Sequence, residues 1–202
     1  MKKIIFLYLI SLMPMLAFAQ QATKVLDKVA AAFRNAGGVK VSYTYSAGGE
    51  TGAGFIKMNG QKFTNDLGDH VFWFNGKTLW SLIKSNEEVN VTNPTSKEIA
   101  KMNPYSFVSL YKKGYKASMT GKSSKDDYEV QLTPTNASAA FKSILLRINR
   151  LNNQLTYVKM ISSDGNMVEI TVKSYAKNQK YTNATFEFDE QQYPDVEVVD
   201  LR

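Results

Sequence analysis

The sequence predicts one α+β domain that is mainly β: a strongly curved antiparallel sheet of about eleven short strands, an N-terminal helix and a mid-chain helical insert. Three observations lead to this fold class. Short segments alternate apolar with polar residues and are separated by tight-turn residues. A helical apolar spacing precedes them, and at residues 94–114 the alternation stops. No long-period repeat divides the chain, so an up-and-down sheet is expected.

The first twenty residues, MKKIIFLYLISLMPMLAFAQ, have the pattern of a secretory signal peptide. Two lysines precede an apolar stretch at residues 4–16, and Ala17-Phe18-Ala19 is a small-x-small cleavage site. We therefore predict a signal peptide at residues 1–19 and a single domain at residues 20–202. An N-terminal anchor that is never cut is the alternative.

Charge and cysteine content narrow the function classes. The chain has 25 basic and 18 acidic side chains, and without the two leader lysines its net charge is about +5. These charges are dispersed, which is typical of a solvated surface and leaves open a weak attraction to anionic headgroups or an acidic partner. Because the chain has no Cys, disulfides, thiol chemistry and a lipid-modified cysteine are excluded. No nucleic-acid-binding motif is present.

The predicted N-terminal helix comes from ATKVLDKVAAAFRNAGG, residues 22–38. Val25, Leu26, Val29 and Phe33 fall at helical spacing. We predict Thr23 as the cap and the Gly pair at residues 37–38 as the stop. The apolar stripe must lie on the sheet.

Strands are predicted wherever apolar residues recur at every second position. They are VKVSYTYS (39–46), GAGFIKMNG (52–60), QKFTNDL (61–67), the two arms of VFWFNGKTLW (71–80), EEVNVTN (87–93), DYEVQLTP (127–134), SILLRINR (143–150), QLTYVKMIS (154–162), NMVEITVKSY (166–175) and YTNATFEFDE (181–190).

The hairpin at residues 71–80 is apolar on both sides. Asn75-Gly76 favours a two-residue type I′ loop, since both residues accept a positive φ. An antiparallel hairpin usually keeps one side polar and solvated. We therefore expect one side to pack in the hollow of the curved sheet and the other under a helix. The two sides are Phe72, Phe74 and Leu79, and Val71, Trp73 and Trp80.

The insert at residues 94–114, PTSKEIAKMNPYSFVSLYKKG, is predicted to be helical. A short turn at residues 96–102 precedes a helix that begins at Asn103-Pro104 and ends at Lys112-Lys113-Gly114. The insert is unusually apolar for a connection, and it suits a movable cover over a hydrophobic hollow. Its apolar residues are Ile99, Met102, Tyr105, Phe107, Val108, Leu110 and Tyr111.

No constellation of catalytic or metal-binding residues is found. The single histidine, His70, has neither a nucleophile motif nor an orienting carboxylate. The carboxylates lack the spacing of a paired acid and base or of a metal site. Phosphate loops and dinucleotide fingerprints are absent as well, so we predict no enzyme activity, no cofactor and no metal. The carboxylates considered are Asp66, Asp69, Asp126, Asp127, Asp189 and Glu190.

The sequence resembles the periplasmic outer-membrane lipoprotein carrier family, LolA. The likeness runs in order from the N-terminal helix to Arg202 through FNGKTLW (74–80), VNVTNP (89–94), NPYSFVSLYKKGY (103–115) and YPDVEVVDLR (193–202). The resemblance implies an incomplete antiparallel β-barrel closed by a helical lid. It also implies a periplasmic monomer that takes lipoproteins from an inner-membrane ABC-type releasing complex, shields their acyl chains and passes them to an outer-membrane receptor, without a cofactor.

The resemblance also implies site residues. Many family members have a Lys-Arg pair on an early strand, whose Arg is thought to hydrogen-bond the lid; the matching positions are Lys57 and Met58, so that Arg is missing. Phe63 corresponds to a residue associated with the receptor handoff. We expect an acyl-chain site formed by Val41, Tyr43, Tyr45, Ile56, Met58, Trp73 and Trp80, and a lid formed by Ile99, Met102, Phe107, Val108 and Tyr111.

Two alternatives to a lipoprotein chaperone remain open. The missing Arg favours a related lipid-binding module that acts as a free-lipid carrier or envelope sensor. The other alternative is an enzyme acting on lipids, which would depend on His70 or on the Asp126-Asp127 pair.

Overall fold

The structure, a computed structural model, describes residues 19–202, except for the side chains of Lys97, Ala100, Lys101, Pro104 and Tyr105. Residues 1–18 of the predicted signal peptide therefore lie outside the described residues. No helix among residues 19–202 combines the length and the apolar character needed to span a membrane.

Twelve strands form one sheet. They are β1 (Gly38–Ala47), β2 (Glu50–Asn59), β3 (Lys62–Asp66), β4 (His70–Phe74), β5 (Leu79–Ile83), β6 (Glu88–Thr92), β7 (Tyr115–Met119), β8 (Asp127–Pro134), β9 (Phe141–Asn149), β10 (Leu155–Ser162), β11 (Met167–Gln179) and β12 (Glu197–Asp200).

The strand order is β12-β6-β5-β4-β3-β2-β1-β11-β10-β9-β8-β7, so β12 and β7 are the two edges. All neighbours pair antiparallel except β12, which lies parallel to β6. The sheet is strongly curved and does not close on itself. The predicted fold class, a mainly β, unclosed and curved antiparallel sheet with helices, is confirmed.

Three helical elements matter for the site. Helix α1 comprises residues 19–34 of the described chain, and helix α2 is Ser96–Met102. A 3₁₀ helix, Pro104–Lys112, follows α2 directly. We call residues 96–112 the lid. The predicted helical turn at residues 96–102 is confirmed, and the predicted start at Pro104 and end at Lys112 are also confirmed, although the second helix is 3₁₀ rather than α.

The start of α1 differs from the prediction. Thr23 lies inside the helix, where its hydroxyl donates to the Ala19 carbonyl at 3.1 Å, so the predicted N-cap is wrong. The helix ends as predicted before Gly37, whose φ of 65° favours glycine. The face formed by Ala22, Val25, Leu26 and Val29 is buried against the sheet.

Two separate apolar clusters lie on the two faces of the sheet. The main core lies on the concave face and includes α1, both halves of the sheet and part of the lid. The second, which we call the outer cluster, lies on the convex face of β4–β6. Its members are Val71, Trp73, Trp80, Leu82, Val89, Phe188, Tyr193 and Val196.

The β4–β5 hairpin has a different register from the predicted one. Phe74 pairs with Leu79 and Trp73 with Trp80, so the loop has four residues, not two. Gly76 has a φ of 102°, but Asn75 does not have the positive φ that a type I′ turn requires. Instead, the Asn75 Oδ1 accepts from the backbone N–H groups of Lys77 and Thr78, at 3.1 and 2.9 Å. Each residue nevertheless keeps its predicted side, because the pairing shifts by two residues.

We expected a helix to cover the convex side of this hairpin, but the C-terminal segment covers it instead. Residues 183–196, which we call the C-terminal cover, contain two 3₁₀ helices, Asn183–Phe186 and Glu190–Gln192. The strand predicted at residues 181–190 is therefore wrong. The chain then adds β12 to the edge of β6.

Candidate functional site

The concave face of the sheet under the lid is the candidate functional site. Thr95 begins the lid with a capping box: its hydroxyl accepts from the Glu98 N–H at 3.4 Å, and the Glu98 carboxylate accepts from the Thr95 N–H at 2.7 Å. Pro104 then starts the 3₁₀ helix at the position where its missing N–H costs least. The lid therefore has local reasons to be ordered.

The lid inserts apolar side chains into the main core. Phe107 is 0% exposed, and its ring meets Phe141 of β9 edge to face, with centroids 5.4 Å apart. Val108 is also buried, while Ile99, Met102 and Tyr111 are half-buried against the same core. All five residues predicted for the lid thus lie on its sheet-facing side.

The concave face that the lid covers is filled by side chains. Of the residues predicted to bind acyl chains, Val41, Tyr43, Ile56 and Met58 are buried in the main core, and Tyr45 packs against it half-buried. The lid and the protein's own side chains occupy this space in the closed state. An acyl chain would have to displace the lid to reach it.

Trp73 and Trp80 were predicted to line the acyl-chain site, and this placement is wrong. They pair with each other across β4 and β5 and lie on the convex side, in the outer cluster. Because successive strand residues point to opposite faces, they cannot share a face with Phe74 and Leu79. Phe74 and Leu79 belong to the concave side in their place.

A buried polar chain links the sheet to the lid. The Tyr43 hydroxyl of β1 donates to Oδ1 of Asn65 on β3, and Asn65 Nδ2 donates to the carbonyl of Met102 at 3.3 Å. Tyr43 is 3% exposed and Asn65 is 5% exposed. Burial raises the pKa of the Tyr43 hydroxyl, which therefore stays a donor. Asn65 thus ties the end of α2 to the sheet. Met58, at the position where the resemblance implied an Arg, is fully buried.

Asn65 was not among the site residues predicted from the sequence, although a signal for it was present. In QKFTNDL, Phe63 and Asn65 fall on the same side of the strand, and a polar residue in that inward position needs a partner. The reach of Tyr43 depends on Gly54, which pairs with it on β2. A Cβ at Gly54 would lie 2.6 Å from the Asp66 carbonyl oxygen and 3.2 Å from the Tyr43 hydroxyl, so the glycine first allows the close approach of the β3 backbone and also gives the tyrosine room.

A second tie links the lid to α1 at the surface. The Tyr111 hydroxyl donates to Oδ1 of Asp27, and the Lys112 Nζ lies 3.1 Å from the same oxygen. The hydrogen bond from Tyr111, followed by that from Lys112, holds the pKa of Asp27 below its ordinary value. Both ionic partners are about half exposed, so this tie is screened by solvent.

Two clefts open along the margins of the lid. One, of about 560 Å³, lies between the lid, the end of α1 and the β4–β5 loop, and its lining includes Phe33, Phe74, Lys77 and Lys113. We call it the lysine cleft. The other, of about 330 Å³, lies between the lid and the β7 and β9 strands and is lined largely by apolar residues, including Leu110 and Phe141.

Phe63, the predicted handoff residue, is 0% exposed. Its ring lies 5.5 Å from that of Phe74, and it pairs with Met58 across β2 and β3. It offers no surface to a receptor in this closed state, so a handoff role remains a prediction that requires opening.

The residues considered for catalysis are dispersed or serve local structure. His70 is half exposed, and its Nε2 lies 3.9 Å from Asp69, whose carboxylate accepts from the hydroxyl and N–H of Ser85. Asp66 accepts from the Gly68 N–H in a turn, at 2.8 Å. Among residues 19–202, no three His, Asp or Glu side chains are grouped as a metal site would require.

Solved structures share this fold. An uncharacterized conserved protein from Thermus thermophilus has a TM-score of 0.60 at 10% identity, over 89% of this chain and 99% of that one. A DUF1329 family protein from Desulfovibrio piger has a TM-score of 0.52 at 10% identity, over 84% and 97%. A LolA superfamily protein from Nitrosomonas europaea overlaps less closely, with a TM-score of 0.45 at 13% identity, over 83% and 97%.

A search of curated proteins gives no significant match. A family model does match, over residues 13–185, and its description is outer membrane lipoprotein carrier protein LolA. The match spans α1, the lid and eleven of the twelve strands, ending within the C-terminal cover. The chain therefore belongs to the LolA outer membrane lipoprotein carrier family.

Proposed function

We propose that this protein is a periplasmic carrier that shields the acyl chains of lipoproteins on their way from the inner to the outer membrane. The observation that carries the proposal is the lid, which fills the concave face with its own Phe107 and Val108. The family assignment supports the same function. A cleavable signal peptide at residues 1–19 would deliver the protein to the periplasm.

The physical need for such a container is large. Each buried methylene contributes about 0.8 kcal/mol, so a sixteen-carbon chain resists transfer to water by roughly 12 kcal/mol. When the lid lifts, the acyl chain takes over the apolar contacts that Phe107 and Val108 made. Because one set of contacts replaces another, loading and release can stay nearly balanced without ATP in the periplasm.

The partners follow from this function. An inner-membrane ABC-type releasing complex would load the monomeric carrier, and an outer-membrane receptor would unload it. Within the closed site, Val41, Tyr43, Ile56 and Met58 would face the cargo, and Phe63 would become accessible during the handoff.

A release assay tests the proposal. Added to spheroplasts, the protein is expected to move newly made lipoproteins into the soluble fraction. If they stay in the membrane while an authentic carrier releases them, the proposed function is wrong.

A locked lid supplies the matched control. The chain has no Cys, so Asp27→Cys with Tyr111→Cys places the only two thiols across the tie between α1 and the lid. Bridging them with a short bismaleimide should abolish release, whereas the unbridged double variant should remain active. Equal activity of both forms would contradict a lid that opens for cargo.

The buried Met58, in place of the family Arg, favours a second candidate, a free-lipid carrier or envelope sensor. Native mass spectrometry of protein purified from its own periplasm separates the two. Lipoprotein adducts support the carrier, and free-lipid adducts support the second candidate.

A further inference from the structure

We propose that the lysine cleft binds the charged end of an anionic amphiphile, with Lys77 and Lys113 facing its negative group and the apolar tail entering the main core. This inference rests on the proposed carrier function and adds a charge preference to it.

The apolar part of the cleft is continuous with the main core. Phe74 belongs to that core, and Phe33 and Ile99 pack against it half-buried. Each of these three residues also lines the cleft. A tail that enters here meets the main core at the margin of the lid, and it reaches the concave face when the lid is displaced.

The charged part of the cleft has one sign. Lys77 and Lys113 line it, and no acidic residue is among its described lining residues. Within residues 19–202, neither lysine has a carboxylate oxygen within 4.0 Å, in contrast to Lys112, which pairs with Asp27. The two neighbouring lysines therefore differ: Lys112 ties the lid to α1, whereas Lys113, directly after the lid, lines the lysine cleft and also the smaller, more apolar cleft.

The remaining lining favours oxygen-rich groups. Its amides and hydroxyls are neutral and do not repel a negative charge, and the side-chain amide of Gln61 can donate to carboxylate, phosphate or ester oxygens. The hydroxyls of Ser106 and Ser109 already donate to the backbone carbonyls of Asn103 and Ser106, at 2.6 and 2.8 Å. The volume of about 560 Å³ lies in the usual range for ligand sites. The neutral polar lining residues are Gln61, Asn93, Ser96, Asn103, Ser106 and Ser109.

The test compares three twelve-carbon ligands that differ only in the head group: dodecanoate, dodecanol and dodecyltrimethylammonium. Each displaces the neutral fluorescent probe N-phenyl-1-naphthylamine from the full-length mature protein at pH 8 and physiological salt. We expect dodecanoate to bind most tightly and the cationic amphiphile most weakly.

Two double variants with the same change in net charge supply the comparison. Lys77→Gln with Lys113→Gln should lower the affinity for dodecanoate by about fivefold to tenfold and leave the affinity for dodecanol unchanged. Lys40→Gln with Lys57→Gln is the control, because these lysines lie on the convex face over the Phe55 ring. Because salt screens charges on the far side of the sheet, the control variant should change the affinity for dodecanoate by no more than about twofold.

The outcomes separate the inference from the proposed function. If dodecanol and dodecanoate bind equally well, or if the control variant weakens dodecanoate as much as the cleft variant, the charge preference is wrong and the carrier function stands. If none of the three ligands displaces the probe, the carrier function itself fails.

Two further pairs of ligands identify the source of the negative group. Phosphatidylglycerol is compared with phosphatidylcholine, and a diacylated lipopeptide with Asp after its lipidated residue is compared with the Asn version. A preference that depends on Lys77 and Lys113 in either pair supports the inference and names the source, and its absence in both overturns the inference.

Discussion

The β4–β5 hairpin is covered on both sides, and the two covers are attached differently. On the convex side the C-terminal cover packs three rings together: Trp73 lies 5.6 Å from Phe188 and 5.8 Å from Tyr193, and the last two rings stack at 5.4 Å. After the cover, β12 adds a backbone ladder along β6. This cover is part of the sheet.

On the concave side, the described ties of the lid run through side chains. The described backbone hydrogen bonds of the lid, such as the one from the Asn103 N–H to the Ile99 carbonyl at 3.1 Å, connect residues within the lid and its cap. Its described polar ties are the hydrogen bond from Asn65 of the sheet, and the hydrogen bond and ion pair that Tyr111 and Lys112 make with α1. The same hairpin thus carries one cover joined to the sheet by a backbone ladder and one held by side chains, and only the second could lift in the proposed carrier without breaking a strand pairing.

Removing the ring on which the C-terminal cover packs should have the largest effect. Trp73→Ala removes the centre of the outer cluster and should lower the free energy of unfolding by about 3–5 kcal/mol, measured by urea denaturation. Dodecanol affinity should not change, because Trp73 lies on the far face from the lid. An equal loss of ligand binding would contradict the separation of the two covers.

Truncating the lid should cost less stability and should improve binding. Phe107→Ala leaves a void that the lid can partly close, so we expect a loss of about 3 kcal/mol. Because ligand no longer competes with the phenyl ring, dodecanol should bind more tightly in the probe displacement assay. Weaker binding would mean that Phe107 is a permanent core residue.

Removing the buried tie should loosen the lid specifically. Asn65→Ala leaves the Met102 carbonyl and the Tyr43 hydroxyl without this partner, which costs about 1–2 kcal/mol. Hydrogen exchange at residues 96–112 should accelerate, while exchange in β12 stays the same. Asn90→Ala is the control, since the Asn90 side chain pairs with Glu88 on β6. Equal acceleration in both variants would exclude a specific role for Asn65.

The surface tie should have the smallest effect and a defined pH dependence. Because the pKa of Asp27 is lowered in the folded protein, the tie contributes fully above the ordinary carboxyl value of about 3.9 and is lost as the pH falls through the lowered value. The contribution of Asp27 to the protection of the lid against hydrogen exchange should therefore be constant from pH 7 to pH 5 and should be lost below about pH 4, where lid exchange speeds up. Asp27→Asn should remove this rise in the exchange rate. A transition near neutral pH would mean that another titrating group controls the opening of the lid.

Much of the fold could be predicted from the sequence, and the failures have a common cause. The strands buried between two neighbours were predicted, whereas both edge strands, β7 and β12, were missed. Edge strands are short and carry charged residues because only one side pairs, so their apolar alternation is weak. Conversely, residues 181–190 alternate like a strand, but their aromatic residues pack on Trp73 and Tyr181 in a segment without a strand partner.

The site was less predictable than the fold. Periodicity placed Val41, Tyr43, Ile56 and Met58 on one face, yet it could not decide which hairpin side joins them, because both sides are apolar. That choice depends on the C-terminal cover, which lies more than a hundred residues away in the chain. The Tyr43–Asn65–Met102 link crosses three elements and depends on a glycine, so no local pattern reveals it.

The unpaired edges of the sheet have a consequence for capacity. Because β7 and β12 do not pair with each other in the described chain, a change in strand twist would widen or narrow the sheet without breaking any ladder between β12 and β7. A closed ring would have to break hydrogen bonds to admit a bulkier guest. In the proposed carrier, an open wall of this kind would let the concave face accommodate cargo of different size.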